Sequence, residues 1–313
     1  MVTNTVQKKS KWNNNVIDEV PVAVKILSYI LTTAFAIMCV LPMIMVILVS
    51  ITDEQTLSLN GYSFIPEKLS LVAYRYIFNN SNQILQSYLI TITTTISGVV
   101  VGLMLMTSFA YVLSRNYFDY KKQFTFIVFF TMLFSGGMLS SYIVNTNLLH
   151  LRDTFAALVL PGCVTPMYVL ILKSYMETSI PQSVVESAKI DGASEFKCYR
   201  NIVLPMAVPS IATIALFMTI AFWNSWYHAF LYIRNNNLLP VQLLLNRIEK
   251  EIQFLAQAGG MAGGSAMMTM QESIPNETVK MALVVIVVIP ILISYPFFQK
   301  YFVKGITIGA VKE

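Results

Sequence analysis

The sequence predicts an all-α, polytopic membrane protein with six transmembrane helices, and three observations support this. Of its 313 residues, 56% are hydrophobic and only 12% are charged, about half the charged fraction of an average soluble domain. The mean hydropathy is +0.63. Six predominantly apolar stretches contain no Asp, Glu, Lys or Arg, and each is about as long as the ~20 residues that cross a hydrocarbon core, or longer. Lipid must therefore solvate much of the chain, which excludes a disulfide-rich secreted scaffold, a disordered regulator and a nucleic-acid-binding protein.

The six charge-free stretches define the predicted helices in chain order. They span residues 26–52, 76–114, 123–151, 154–172, 201–233 and 281–299. The first follows a polar leader and is too long for a signal-peptide core, so we expect a retained helix with a kink at Pro42. The second is predicted to start near Gln86, after a polar approach, and the third to end near Tyr142. Continuous apolar runs indicate helices, since the strands of a membrane barrel alternate apolar and polar residues.

The distribution of Lys and Arg predicts the orientation of the chain. With the N terminus inside, 14 of the 21 basic residues fall on the cytoplasmic side and seven fall outside. Cytoplasmic connections of membrane proteins carry such an excess of basic residues. We therefore expect both termini in the cytoplasm, which also accounts for the pI of 9.0. Residues 1–24 and 300–313 are then cytoplasmic terminal segments on either side of a transmembrane domain at 25–299.

The predicted spans carry no side chains suited to ion coupling or to catalysis. Carriers driven by protons or sodium usually keep an ionisable carboxylate inside the membrane, and none of the spans contains one. The sequence also lacks HExxH, GxSxG and P-loop motifs, so we predict no catalytic residue, metal site or cofactor in this chain. Cys39, Cys163 and Cys198 have no metal-binding spacing and are predicted to be free thiols.

The longest internal cytoplasmic connection, residues 173–205, is predicted to fold as a compact helix–turn–helix. Pro181 is favourable in the first turn of a helix. Asp191 and Gly192 are expected to stop that helix after Ile190, because glycine adopts the left-handed conformation that ends helices. Ser194 is a suitable N-cap for a second helix. The result is a short, rigid protrusion on the inner face.

One face of the first of these helices is predicted to be apolar. Val184, Val185 and Ala188 lie at helical spacing, and their small side chains would allow the helix to enter a groove. The composition alone leaves two alternatives open, an ordinary solvated loop and a docking element for a soluble partner.

The string ESAKIDGASEFKCYRNIVLP resembles the EAA loop of binding-protein-dependent ABC importer permeases. The residues characteristic of that family are carried here by Glu186, Ala188, Gly192, Ile202, Leu204 and Pro205. Ser187 replaces the first alanine of the family pattern, which exchanges one small residue for another. The resemblance implies that this loop, including Asp191 and Ala193, is a coupling helix. Such a helix sits in a cleft of an ATPase subunit and passes ATP-driven closure to the membrane helices.

The resemblance extends over nearly the whole chain and is closest to permeases of maltose-type carbohydrate importers. Within these, FSGGMLSSY, FWNSWYHAFLYI and YFVKGITIGAVKE resemble a subgroup that handles polysaccharides and complex oligosaccharides. The resemblance implies the type I ABC importer transmembrane fold in a bacterial cytoplasmic (inner) membrane. It also implies four partners in a heteromeric complex: a second homologous permease, a dimer of ATPase subunits that binds ATP and Mg²⁺, and an extracytoplasmic solute-binding protein. The tail from Lys304 to Lys312 either reaches toward the ATPases or is a positive-inside anchor.

Aromatic and amide side chains near the outer ends of two spans are candidates for a sugar path. Sugars present apolar CH faces edged by hydroxyl groups, which suit aromatic stacking combined with amide hydrogen bonds. The candidates are Tyr142 and Asn145 on the third span and Trp223, Asn224, Tyr227 and His228 on the fifth. Asn224, Tyr227 and His228 are predicted to lie at i, i+3 and i+4 of one helix. An interfacial aromatic belt is the alternative interpretation.

The outer loop at 234–279 is rich in glycine. Gly259, Gly260, Gly263 and Gly264 indicate either a flexible linker or, as the resemblance implies, a tip that probes the solute-binding protein.

Two hypotheses for the function follow. The first is a non-enzymatic permease subunit of an ABC importer for carbohydrate, in particular an oligosaccharide. The alternative is an autonomous secondary carrier or channel for a small polar solute.

Overall fold

The computed structural model describes residues 21–79, 81–261 and 277–310, and this part of the chain is helical. Its one β-bridge among these described residues is antiparallel and joins Thr52 to Leu69. The predicted all-α class is confirmed for the described residues. The helices in chain order are α1 Val22–Ser50, α2 Glu54–Asn60, α3 Val72–Asn79, α4 Ser81–Ser114, α5 Lys121–Leu133, α6 Gly137–Ile143, α7 Phe155–Val159, α8 Pro166–Thr178, α9 Gln182–Ile190, α10 Glu195–Cys198, α11 Leu204–Met206, α12 Val208–Trp223, α13 Tyr227–Tyr232, α14 Val241–Met261 and α15 Glu277–Ala310.

The long helix α4 is the centre of the packing, and α8 and α12 lie against it. Gly98 and Gly102 permit this close approach. A Cβ at Gly98 would lie 2.4 Å from the ring of Phe222, and one at Gly102 would lie 2.4 Å from both the Cys163 carbonyl oxygen and the Met218 terminal methyl. The two glycines are four residues apart, the spacing with which small residues bring membrane helices together.

The outer surface of the bundle is strongly apolar. In α1 only the last two residues, Val49 and Ser50, are buried, and most large apolar side chains of α5 are exposed as well. An exposed apolar surface of this extent is unfavourable in water and is suited to contact with lipid. By length and composition, α1 and the stretch Asn82–Ser114 of α4 are each able to cross a membrane alone. The helix that contains the second predicted span is α4. It begins at Ser81, earlier than the start predicted near Gln86.

The third, fourth and fifth predicted spans are bent, which the sequence interpretation did not anticipate. The helix pairs are Lys121–Leu133 with Gly137–Leu148 at 114°, Phe155–Gly162 with Pro166–Thr178 at 50°, and Glu195–Met206 with Val208–Trp223 at 77°. α5 ends at Leu133, where Phe134 is extended, and Gly137 at the start of α6 has φ +78°. Pro166 forces the residue before it out of the helical region, and Pro205 and Pro209 flank the third bend. The sixth predicted span lies within the 34 residues of α15.

The connections of the chain gather at two opposite ends of the bundle. At one end, the Arg115 guanidinium donates to the Met176 carbonyl (3.3 Å) and to Gln182 (3.4 Å), joining the α4–α5 connection to the α8–α12 connection. At the other end, the amides of Gln83 and Gln86 donate to the backbone of the loop before α14 (2.8 and 3.0 Å). Helices that cross a membrane in turn require this alternation.

The second of these ends, predicted to be external, contains more helix than expected. The predicted loop at 234–279 includes the 21-residue helix α14, and α2 and α3 fill the connection after α1. The carboxylate of Glu54 on α2 accepts hydrogen bonds from the backbone N–H groups of Glu277 and Thr278, both at 2.9 Å. A carboxylate at a helix N terminus is favourable because it pairs with free N–H groups and with the helix dipole. This contact fixes the start of α15.

Candidate functional site

The turn after α9 has the geometry that the sequence predicted. Asp191 follows the last helical residue, and Gly192 has φ +83°. The Gly192 N–H donates to the Lys189 carbonyl (3.0 Å), and the Ala193 N–H donates to the Ala188 carbonyl (2.9 Å). These two bonds form a Schellman motif, in which the residue after the left-handed glycine packs back on the last turn. The predicted stop at Asp191 and Gly192 is therefore confirmed.

The second helix of the loop starts at the predicted N-cap. The Ser194 hydroxyl accepts a hydrogen bond from the Lys197 N–H, and α10 begins at Glu195. The chain then passes through a wide π turn into α11, where Pro205 occupies the first turn. Leu204 and Pro205 line an open groove of about 660 Å³ between this exit and α4.

The side chains of the predicted apolar stripe on α9 face in two directions. They therefore do not form one docking surface. Val185 is completely buried, and Ala188 packs with Ala193 against the core of the same chain. Val184, by contrast, is exposed. The helix is therefore seated on the rest of the chain through Val185 and, in part, through Ala188, and the Val185 side chain is not available to a partner.

A cluster of polar groups clamps the two loop helices to the end of α4. Lys189 on α9 forms an ion pair with Glu195 on α10, and its Nζ lies 3.4 Å from the centre of the Tyr117 ring. The hydroxyl groups of Tyr111 and Tyr117 both donate to Glu195 Oε2 at 2.7 Å. One carboxylate thus joins three segments of the chain.

The clamp shifts the pKa values of its charged members in opposite directions. For Glu195, partial burial opposes ionisation, but the hydrogen bonds from Lys189, Tyr117 and Tyr111 outweigh it and lower the pKa below 4.5. For Lys189, partial burial also opposes the charge, but bonding to Glu195 and Tyr117 raises its pKa above 10.5. Both groups are therefore charged across the neutral range.

Arg115 supports the clamp from inside the protein. Its side chain is almost completely buried, at 1% exposure. Besides the bonds to Met176 and Gln182, its Nε donates to the Ser114 hydroxyl (3.0 Å), and its guanidinium lies 5.2 Å from the Tyr111 ring centre. A buried guanidinium needs such partners because an unpaired buried charge is strongly unfavourable. Arg115 thereby fixes the start of α9 relative to α4 and α8.

The outward face of α9 presents a carboxylate between apolar side chains. Ile190 is 86% exposed and Val184 is 41% exposed. Glu186, also exposed, has no side-chain hydrogen bond or ion pair within the described residues. A rigid helix with this mixed surface, supported from behind, is able to transmit force to and from a docked protein.

The aromatic candidates near the other end do not lie on one helix. α12 ends at Trp223 and α13 starts at Tyr227, so the prediction that Asn224, Tyr227 and His228 share one helix is wrong. The helix ends because the Asn224 backbone, at φ −89° and ψ 5°, leaves the helical region, while its side-chain amide donates to the Ile220 carbonyl (2.9 Å). Trp223 is buried at 8% exposure and faces α15.

Three ring side chains form a stack at this end. Tyr232 lies between Tyr142 and His228, with ring centroids 6.0 and 6.4 Å away and rings nearly parallel to both. Asn145 donates to the Tyr232 hydroxyl (3.1 Å). The structure therefore brings Tyr142, Asn145 and His228 together, around a buried tyrosine that the sequence interpretation missed.

Next to this stack, α13 and the residue before it expose an aromatic patch formed by Trp226, Tyr227 and Phe230. Trp226 lies edge-to-face against Tyr227 (6.1 Å) and Phe230 (6.0 Å). Lys250 Nζ on α14 lies 5.6 Å from the Phe230 ring centre. Half-exposed aromatic faces with a cation at their edge are suited to the apolar faces of pyranose rings and to an attached anionic group.

The four glycines predicted to contact a binding protein are only partly described. Gly259 and Gly260 lie in the last turns of α14. Gly263 and Gly264 lie outside the described residues, as do residues 1–20 and the end of the C-terminal tail.

Comparison with known proteins identifies the family. Residues 124–308 match the family model described as the binding-protein-dependent transport system inner membrane component. The chain belongs to this family. It is 39% identical to the polygalacturonan/rhamnogalacturonan transport system permease protein YtcP of Bacillus subtilis, over 89% of this chain and 94% of that protein. It is 36% identical to Protein LplC of the same organism, over 87% of this chain and 89% of that protein.

A solved structure also resembles this permease-family chain. It comes from a bacterial ABC transporter involved in the import of the acidic polysaccharide alginate, and the alignment has a TM-score of 0.76 with 28% sequence identity. The alignment covers 90% of this chain and 96% of the other. Together with the family match, it supports the type I importer fold expected from the EAA-like loop.

The sequence pattern indicated Glu186 on the exposed side of α9 and the turn at Gly192, but neither the exposed Ile190 nor the residues that hold the loop in place. Glu186 and Gly192 were recognised through a local motif. Glu195 was not, because its partners Tyr111 and Tyr117 lie 84 and 78 residues earlier in the chain. The fully buried Arg115 was counted only as a positive-inside charge. A basic residue directly after a long apolar helix offers no local signal that distinguishes these roles.

Proposed function

We propose that this chain is one of two transmembrane subunits of an ATP-driven importer that takes up oligosaccharides delivered by an extracytoplasmic solute-binding protein. ATP and Mg²⁺ bind to separate ATPase subunits, and this chain has no catalytic role of its own. Membership of the permease family and the carbohydrate transport named for its relatives support this function over an autonomous carrier or channel. The second transmembrane subunit is a homologous permease, and the six spans leave both termini in the cytoplasm.

The observation that carries the mechanism is the supported, outward-facing surface of α9. Val184, Glu186 and Ile190 project from a helix whose opposite side is anchored by Val185 and by the Glu195 clamp. When the ATPases close, a cleft that holds this surface pushes on α9. Because the clamp joins α9 to α4 and to α12 through α10, the push moves these membrane helices instead of deforming the loop.

The mechanism is tested by substitutions on the two sides of α9 in the complete, reconstituted importer. Ile190→Asp places a charge in the proposed ATPase contact, so ATPase subunits should no longer co-purify and sugar-stimulated ATP hydrolysis should be lost. Lys122→Ala, on an exposed residue of the same end but outside α9, should leave both unchanged. Normal ATPase retention and stimulation in Ile190→Asp would overturn the proposed docking surface.

We further propose that the substrate is an acidic, uronate-containing oligosaccharide that contacts the aromatic patch. The relatives named for polygalacturonan and alginate support this class, and Lys250 beside Phe230 supplies the matching charge. Lys250→Gln should lower oligogalacturonide uptake about two- to fivefold, the range expected for one exposed ion pair. Lys250→Arg, which keeps the charge, should retain uptake. Equal uptake by Lys250→Gln and the unmodified chain would contradict the assignment.

A further inference from the structure

The last helix contains a proline at a point where it is packed against two other helices. Pro290 has no backbone N–H, so the Ile286 carbonyl four residues earlier lacks its ordinary helical partner. In a membrane there is no water to replace such a partner, so an unsatisfied carbonyl is strongly unfavourable. The proline ring also crowds the preceding turn, which weakens the helix around Val287.

Two side chains from different helices donate to the carbonyls of this turn. The Tyr88 hydroxyl on α4 donates to the Ile286 carbonyl at 2.7 Å. The Trp223 indole Nε1 at the end of α12 donates to the adjacent Val287 carbonyl at 3.3 Å. The two rings lie 6.4 Å apart, so both reach the same turn of α15.

A cavity adjoins this contact. It has a volume of about 150 Å³ and lies between α4, α12 and α15, with Thr95, Trp223 and Pro290 in its wall. The Thr95 hydroxyl is buried and has no hydrogen-bond partner within the described residues. Interiors are close-packed, so a gap beside a proline break leaves space into which α15 is able to shift.

We propose that Tyr88 and Trp223 are positioning residues for transport that hold the proline break of α15 in one register against α4 and α12. The inference rests on the proposed importer function, because the held helix must move when the permease changes state. Each bond selects a single carbonyl, so a shift of α15 by one residue breaks both. The pair therefore stabilises one arrangement of the three helices and couples the motion of α12, driven from α9, to α15.

A double-mutant cycle on the purified full-length chain in its complex tests the contact itself. Tyr88→Phe should lower the midpoint of thermal unfolding by ~2–4 °C. In a Pro290→Ala background the same change should have almost no effect, because the alanine N–H then satisfies the Ile286 carbonyl. Tyr74→Phe is the control: the Tyr74 hydroxyl on α3 bonds the Ser50 hydroxyl (2.8 Å) and no proline-freed carbonyl, so its effect should be equal in both backgrounds. An equal loss for Tyr88→Phe in both backgrounds would overturn the contact.

A second measurement separates positioning from simple stabilisation. In the reconstituted importer, Tyr88→Phe and Trp223→Phe should reduce the ratio of ATP hydrolysis with and without oligogalacturonide-loaded binding protein severalfold, at a temperature where both variants are folded. Tyr74→Phe should keep the ratio of the unmodified importer. An unchanged ratio in the first two variants would overturn the positioning role. If the unmodified importer shows no stimulation, the proposed function fails, whereas the thermal cycle still decides the contact at Pro290.

Discussion

At the scale of single residues, Gly192 determines where α9 ends. Its φ of +83° is strained for a residue with a Cβ, although no atom lies within 4 Å of the Cβ position. Gly192→Ala should therefore destabilise the turn by ~1–2 kcal/mol through backbone strain alone. We expect reduced sugar-stimulated ATP hydrolysis with normal membrane insertion. Gly192→Asn should recover part of the loss, because asparagine tolerates this conformation better than alanine; equal activity of the alanine variant and the unmodified chain would contradict the argument.

Gly102 is constrained by space, not by its backbone conformation. A Cβ there would lie 2.4 Å from the Cys163 carbonyl oxygen, a backbone atom that cannot move aside alone. Gly102→Ala should thus separate α4 from its neighbours and cost about 1–3 kcal/mol. A lower thermal midpoint of the purified chain would report this. Gly136→Ala is the matched control, because its Cβ would meet only Ser140 at an ordinary 3.5 Å; equal midpoints for the two variants would contradict the packing account.

At the scale of elements, α9 and α10 behave as one unit because Glu195 and Lys189 join them. The lowered pKa of Glu195 means that its contribution is present above its unfolded value of 4.5 and is lost as the pH falls through the lower folded value. The raised pKa of Lys189 means that its contribution is lost only as the pH rises above 10.5. The clamp is therefore constant through the neutral range and opens in acid.

Hydrogen exchange of residues 182–198, corrected for the intrinsic effect of pH, tests this titration. Protection should be constant between about pH 6 and pH 9 and should fall below about pH 4. Glu195→Gln should remove the acid-dependent step and show lower protection at neutral pH. Persistence of the acid step in Glu195→Gln would assign it to a different carboxylate.

The elements that the sequence predicted well are those whose boundaries depend on local chemistry. Pro181, Gly192 and Ser194 act on backbone groups within a few residues, so their effects are visible in a short string. The breaks near Gly137 and Asn224 were missed. A stretch without charges indicates that the segment is apolar, but it does not indicate whether the helix is unbroken. Both residues lie in stretches that are apolar enough to be one span each, and only the packing of the segments on either side fixes the bends.

At the scale of the whole molecule, the sequence pattern does not show which residues far apart in the chain come into contact. Trp223 illustrates this: its sequence neighbourhood suggested a membrane interface or a sugar path, and its indole instead donates to α15, 64 residues later. Glu195 illustrates it for charge, since nothing near it in the chain indicates its bonds to Tyr111 and Tyr117. What the charge pattern did predict is the alternation of connections between two ends, because each crossing reverses the direction of the chain.

The assignment of these ends to the two sides of the membrane is a prediction that cysteine labelling can test. The native thiols provide a low background, because Cys163 and Cys198 are buried and Cys39 lies within α1, a predicted span. Ser63→Cys and Asn237→Cys place exposed thiols at the end predicted to be external. Asn116→Cys and Ser187→Cys place them at the opposite end, in two separate connections.

In intact cells, a membrane-impermeant maleimide should label only the thiols at positions 63 and 237, and those at 116 and 187 should react after permeabilisation. This follows because the positive-inside bias puts the Arg115 and Lys189 connections in the cytoplasm. The complete opposite pattern would reverse the orientation and remove α9 from any cytosolic ATPase. If position 187 reacts less than position 116 in permeabilised cells, the orientation still holds, because a docked ATPase shields α9 but not the α4–α5 connection. Removal of the ATPase subunits should then expose position 187.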